Sequence, residues 1–360
     1  MLELNGRGAL DRRLRVRIGT LDLRNPVICA SGEHVMTEAG IRAALEAGAA
    51  VVVAKSINES QAARAQLSQS DYLRTDDAWD RLPWHGSGGN ILCRSGLQPR
   101  ASGEWIAAVA ALDRAASGQD AYVAASVILA DLDAAVALAR EIEAAGIRLI
   151  EFNVGTPYGD EAAHGGVATE RAAAKIRAQV AAVTGAVRIP VWVKLTGQSE
   201  DVAALAAAAR DGGAGAVTMM GRMLGMLPDL DSMAPALGSN LGYGGPWALP
   251  LTCYWLAKTR KRLGADYPLV GTNGARSGAD VARMLLAGAS AVEMCSAVMT
   301  GGFAVLTEAV ADLLAYLESK QTDAGAIIGR AADSVGDYAG LPVRTDPWRA
   351  VVPAATLSLG

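Results

Sequence analysis

EAGAAVVVAK (46–55) contains the reading that decides the fold. It is the end of an amphipathic helix, then a glycine, then an unbroken apolar run. The phrase recurs as AAGIRLIEFN (144–153), DGGAGAVTMM (211–220) and LAGASAVEMC (286–295). The glycine suits the left-handed position just past a helix end. The run that follows is continuous rather than alternating, which marks a strand buried on both faces of a parallel sheet.

Four further runs extend the series: NPVICAS (25–31), AYVAASVI (121–128), IPVWVKL (189–195) and YPLVGTNG (267–274), making eight candidate strands. Helical stretches lie between most of them. One starts at Thr37 as N-cap, one at Asp131 and one at Ser199, and Ser277 and Asp280 stand at capping-box spacing. Eight strands alternating with helices predict an α/β protein of the (β/α)8, or TIM-barrel, type. The alternative, an open doubly wound sheet, needs fewer strands and usually GxGxxG after the first. Here the first strand runs into ASGEHVMT (30–37).

Two stretches are too long for ordinary loops: residues 56–105 after strand two and residues 222–250 after strand six. Both leave the carboxyl ends of strands, where barrel enzymes place their sites, so they are expected to be lids or site walls. Contacts between subunits are the other reading. A helix is expected over 303–319, then an amphipathic piece over 323–341 and an extended tail. The division expected is one barrel domain over 1–345 and a tail over 346–360.

Composition narrows the function classes. With 51% hydrophobic and 19% charged residues the chain can build a large core. A formal net charge of −4 argues against nucleic-acid binding. Cys29, Cys93, Cys253 and Cys295 have no CxxC spacing, so no zinc or iron–sulfur site is expected, and a reducing cytoplasm is. No signal-peptide h-region and no membrane-length apolar run is seen. Of 33 basic residues only six are lysines. Two of these, Lys55 and Lys194, end buried strands, where an ammonium group needs an anionic partner. A bound anion or redox cofactor would supply one; a structural ion pair within the barrel is the alternative. GTNGARSG (271–278) and VEMCSA (292–297) put small-residue turns after strands seven and eight, the common barrel phosphate site, and YGGP (243–246) adds another backbone cradle.

From about Leu21 to Thr300 the chain resembles the dihydroorotate dehydrogenases of the soluble class 1 type and their relatives in the flavin domain of dihydropyrimidine dehydrogenase. The pieces that carry the resemblance are LRNPVICASG (23–32), VVVAKSIN (51–58), SGL (95–97), IEFNVGTP (150–157), IPVWVKLTG (189–197), AVTMMGRMLGM (216–226), LGYGGPWALP (241–250) and residues 269–297. The resemblance implies an FMN-binding barrel, a small-molecule substrate and a homodimer. It places Ala30 and Ser31 along the flavin, Lys55 and Ser56 near its ring, and Asn153 between flavin and substrate. Lys194 would sit at the flavin N1/O2 edge, where the reduced ring carries negative charge. Gly244, Gly245, Asn273, Gly274, Cys295 and Ser296 would contact the phosphate. Asn273 and Cys295–Ser296 stand where the family has Gly and Gly–Thr.

The substrate side departs further. The family holds its pyrimidine acid with four asparagines. Only Asn153 remains; Cys93, Tyr158 and Gly221 occupy the other positions, with Gly96, Leu97 and Arg222 beside them. Such sites discriminate strongly on hydrogen bonds. Thr156 stands at the position of the family's catalytic base. A Thr hydroxyl can relay a proton but needs help from a group such as His164, Tyr158, Asp160 or Glu161. The implied activity is FMN-dependent oxidoreduction of a CH–CH or CH–N bond in a small cyclic or acidic substrate other than dihydroorotate. The rival readings are a non-redox phosphate-binding barrel with a Schiff-base lysine, and a flavin-binding partner subunit that has lost catalysis.

Overall fold

The computed structural model describes residues 11–155, 170–221 and 223–355. Eight parallel strands close into a barrel: β1 (Val27–Cys29), β2 (Val51–Val53), β3 (Tyr122–Ile128), β4 (Ile150–Asn153), β5 (Val191–Lys194), β6 (Ala216–Met219), β7 (Leu269–Thr272) and β8 (Ala291–Met294). Each pairs with its sequence neighbour, and β8 pairs with β1 to close the ring. All eight expected strands are present in the expected order. β1, β2, β5, β6, β7 and β8 are buried along their whole length, as their unbroken apolar character requires.

A helix follows each strand: α1 (Glu38–Glu46), α2 (Ser102–Ala116), α3 (Leu132–Ala144), α4 (Ala173–Thr184), α5 (Val202–Asp211), α6 (Leu249–Leu263), α7 (Gly278–Leu286) and α8 (Ala304–Ser319). Thr37, Asp131 and Ser277 cap α1, α3 and α7 through their side-chain oxygens. At α5 the cap is Asp201, which accepts from Ala204 N–H, and not Ser199. The expected start was two residues early because Ser and Asp are near-equal caps and both stand in SEDVAA. In the recurring helix–Gly–strand joint, Gly48, Gly146, Gly213 and Gly288 adopt φ between +85° and +113°, the region an L side chain avoids.

Before β1, Val16–Ile18 and Leu21–Leu23 form an antiparallel hairpin with alternating burial. It lies at the amino ends of the barrel strands, where Gly19 approaches the Gly215 carbonyl. After α8 the described residues form only short helical turns, including Ala324–Ile327 and a 3-10 turn at Pro347–Ala350, so the expected amphipathic piece is only partly regular, and the end of the expected tail lies outside the described residues. Tyr338, Val343 and Val351 are exposed there.

The two insertions meet. Asp71–Thr75 and Asn90–Arg94 from the first join Met223–Gly225 and Leu241–Gly244 from the second in one four-stranded antiparallel sheet. Leu73, Leu92, Leu237 and Leu241 form a small core of its own. Arg74 organises the glycine-rich loop of the first insertion: its guanidinium donates to the carbonyls of Pro83, His85, Ser87 and Gly88.

Candidate active site

A cavity opens at the carboxyl ends of the barrel strands and is roofed by the insertion sheet. Strand alternation builds its floor. In β4, Glu151 and Asn153 are two apart and face the interior together. Glu151, Lys194 of β5 and Glu293 of β8 converge: Lys194 Nζ lies 3.0 Å from Glu151 Oε2 and 2.6 Å from Glu293 Oε2. From Glu151 a line of hydroxyls crosses to β1. Ser126 Oγ donates to Glu151 at 3.3 Å and pairs with Ser56 at 2.8 Å, and Ser56 pairs with Ser31 at 3.1 Å. Lys55 is held separately. Its Nζ donates to Glu33 at 2.9 Å, and its carbonyl accepts from the Trp105 indole N–H.

The electrostatics follow from this crowding. Burial alone would disfavour the Lys194 ammonium, but Glu151 and Glu293 outweigh it and raise its pKa. Burial and the neighbouring Glu151 push the Glu293 carboxyl up to about 8, against the pull of Lys194. Burial also pushes Glu33 up, yet the charge of Lys55 and its hydrogen bond hold the carboxyl below the usual carboxylate range. The Cys295 thiol is pushed up to about 12 by burial and by Glu33, so it is a neutral group at the rim and not a thiolate nucleophile.

The rim is made of turns. Asn273 adopts φ +69° and Gly274 φ +115°, and the Asn273 side-chain oxygen accepts from Gly245 N–H at 3.3 Å. A Cβ on Gly274 would lie 2.6 Å from Leu249 N, and one on Gly244 would lie 3.0 Å from Asn273 Oδ1. At Gly274 a side chain is excluded by backbone, whereas at Gly244 the Asn273 amide would have to shift; such turns of small residues present backbone N–H groups of the kind that hold anions.

The structure brings together most of the residues singled out in the sequence. Ala30, Ser31, Lys55, Ser56, Asn153 and Lys194 line the cavity, as do Gly244, Asn273, Gly274, Cys295 and Ser296 at the rim. Cys93, Gly96, Leu97 and Gly221 line it from the insertion side and from the end of β6. Gly245 instead faces an adjoining cavity that shares Gly274 and Ser296 with the first. Thr156, Tyr158, His164 and Arg222 lie outside the described residues. The sequence reading missed Glu33, Glu151, Glu293 and Ser126. The signal for the two strand glutamates was present, since each is a lone carboxylate in an otherwise apolar strand.

A closed parallel barrel with a polar cavity at its carboxyl ends, lysine–glutamate pairs at its floor and glycine-rich turns at its rim, defines an enzyme of the TIM-barrel class. The family model described as dihydroorotate dehydrogenase matches residues 13–317, and the chain belongs to that family. It is therefore a flavoprotein-type oxidoreductase of the CH–CH group, from a family that depends on FMN. Among its relatives, the catalytic subunit of dihydroorotate dehydrogenase B (NAD(+)) from Methanosarcina acetivorans is 30% identical over 321 residues, covering 88% of this chain and 95% of the relative. The corresponding subunit from Methanocella arvoryzae is 28% identical, covering 89% and 98%. Dihydroorotate dehydrogenase A (fumarate) from Lactiplantibacillus plantarum is 33% identical over 201 residues, covering 55% and 64%. Among the described residues no helix is long and apolar enough to cross a membrane.

Proposed function

We propose that this chain binds FMN in the barrel-mouth cavity and transfers a hydride between the flavin and a CH–CH or CH–N bond of a small cyclic or acidic substrate other than dihydroorotate. The observation that carries the reading is Lys194, a buried ammonium on the floor of a cavity whose rim is built from turns of small residues, with backbone excluding a side chain at Gly274. The residues present fit FMN: Lys194 and Lys55 would lie by its ring system, and Asn273, Gly274, Cys295 and Ser296 would offer backbone and small polar groups to its phosphate. Bound FMN would supply a two-electron acceptor for hydride. The chain's own part is to orient the substrate through Asn153, exclude water with the insertion sheet, and pass the proton through Thr156 with His164 as its partner group.

The substrate preference rests on what the wall can offer. Cys93 and Gly221 carry no amide. At Gly221 none can be added, because a Cβ there would lie 2.5 Å from the Leu195 carbonyl oxygen. Ile91, Leu97, Ile128 and Met220 line the cavity around them, a surface suited to a less polar ring than a pyrimidine acid.

The Schiff-base reading is disfavoured at Lys194, since Glu151 and Glu293 favour its protonated amine. We keep a homodimer within the proposal. The relatives named as catalytic subunits add a second option, a separate electron-accepting subunit, and light scattering of the purified chain distinguishes a homodimer from a monomer.

The decisive experiment is an absorption spectrum of the purified protein, with the pigment released by denaturation and identified. Bound FMN is expected. A protein that stays colourless after incubation with FMN overturns the proposal.

A further inference from the structure

Five charged side chains line the main cavity among the described residues: Lys55 and Lys194 against Glu33, Glu151 and Glu293. Lys55 is engaged by Glu33, so Lys194 alone faces two carboxylates. With both ionised, that cluster already carries a net negative charge in a site shielded from water. Glu151 and Glu293 share that one cation, at 3.0 and 2.6 Å from its Nζ, and the Glu151 charge raises the proton affinity of Glu293.

We propose that Glu293 is a proton-linked charge compensator: when electrons enter a cofactor in this cavity, Glu293 binds a proton and so keeps the cluster around Lys194 from gaining a further negative charge. The inference rests on the flavin reading above. Two electrons and the proton that comes with a hydride add one negative charge to a flavin. The balancing proton comes from water and ends on the Glu293 carboxyl, and no bond other than that O–H is made.

Glu293 fits the role better than its neighbours. It is buried in the middle of β8 with no hydroxyl on it, whereas Glu151 accepts from Ser126 and has a fixed partner besides Lys194. The groups facing it from other elements are Lys194 on β5, Glu151 on β4 and Cys29 on β1. The Cys29 thiol is held well above its usual range by burial and stays neutral. Lys55 with Glu33, and Cys295, lie further along the wall. Added negative charge raises proton affinity, so uptake is confined to conditions where Glu293 starts ionised. That places the coupling above about pH 8 and leaves it absent below, where the carboxyl is already protonated.

Glu293 is a positioning residue here, and its test is an equilibrium. The ratio of reduced to oxidised FMN in the holoprotein, poised against a reference dye, is measured from pH 6 to 10 in the wild type and in Glu293→Gln, whose amide imitates the neutral acid. In the wild type the ratio is expected to fall about tenfold per pH unit below pH 8 and about a hundredfold per unit above it. In Glu293→Gln it should fall tenfold per unit throughout. Equal dependence in the two proteins, with FMN bound, overturns the linkage alone. Failure of both to bind FMN overturns the flavin reading and this inference with it. An independent readout needs no cofactor: the apoprotein's infrared spectrum should contain a protonated-carboxyl band that bleaches near pH 8 and is missing from Glu293→Gln. If Glu293→Gln does not fold, that band in the wild type decides, and its absence at pH 6 overturns the proposal.

Discussion

Cys93 of the first insertion lies in register with Gly242 of the second, as neighbours in one antiparallel sheet over the barrel mouth. Either insertion alone would present an open strand edge above the site, a template for unwanted pairing. Joined, they close each other's inner edges, and Cys93, Gly242, Tyr243 and Gly244 reach the cavity from a common surface. Tyr243 also stacks on Trp247 with ring centroids 4.6 Å apart, tying the sheet to the start of α6.

The sheet should therefore open as a unit. Leu241→Ala removes a buried member of its four-leucine core, a change that costs about 2–5 kcal/mol where the site cannot collapse. Limited proteolysis should then cut within both 56–101 and 226–240 at similar rates while the barrel stays intact. Cleavage confined to the second insertion would show that the two do not depend on each other.

His34 should give the fold an acid limit. Its ring nitrogens are shielded from solvent without hydrogen-bond partners, and burial, only partly countered by Glu33, lowers its pKa from 6.5 to about 4. The folded state thus favours the neutral ring. The stability this gives is complete above pH 6.5 and is lost as pH falls from 6.5 towards 4, reaching roughly 2 kcal/mol by pH 5. Urea midpoints at pH 7 and pH 5 should differ by less in His34→Leu than in the wild type. An unchanged difference would place the acid sensitivity elsewhere.

At pH 9, where Glu293 is ionised, Lys194→Met should destabilise the barrel by about 3–5 kcal/mol, because it leaves two buried carboxylates facing each other without their cation. Adding Glu293→Gln removes one of those charges, so the double variant should recover a large part of the loss. Chemical denaturation of the four proteins in the cycle measures the coupling. Strict additivity would mean that Lys194 and Glu293 do not act on each other.

The barrel was legible because its signal is local: each helix end, glycine and buried run lies within ten residues. The insertion sheet was not, since nothing within 71–94 names 223–244 as its partner. The amino-terminal hairpin was missed although VRI (16–18) and LDL (21–23) alternate cleanly around a short turn. In the site, Lys55 and Lys194 stood out because lysines are scarce and both end strands. Glu151 and Glu293 did not, because the apolar residues around them dominated the reading of β4 and β8. Of the two possibilities left open for the lysines, the structural ion pair is present at each, and both side chains also line the cavity.

Thr156 should act in proton transfer with a partner from its own segment. With a substrate that reduces the flavin, Thr156→Val is expected to slow that reduction by about 10²-fold or more and leave the flavin spectrum unchanged. His164→Ala should slow it as well if the imidazole completes the relay. Wild-type rates in both would move the role to another group, with Tyr158 and Cys93 next to be tested.

Dihydroorotate should be a poor substrate, and the cavity wall says how far this can be reversed. Of the four amide positions implied by the family resemblance, Asn153 remains, and its side-chain oxygen already accepts from Gly155 N–H at 3.1 Å. Each buried hydrogen bond left unmade costs roughly 1–3 kcal/mol, so three missing amides remove several kcal/mol of recognition. Cys93→Asn restores one of them at a half-buried strand position facing the cavity, and should raise kcat/KM for dihydroorotate by about tenfold. Gly221→Asn should give no such gain, because its Cβ would collide with the Leu195 carbonyl oxygen and the backbone would have to move first. Stopped-flow bleaching of the bound flavin measures both variants against the wild type. Fast, saturable bleaching of the unaltered protein by dihydroorotate would show that this wall recognises the pyrimidine acid without those amides, and the proposed change of substrate would fall.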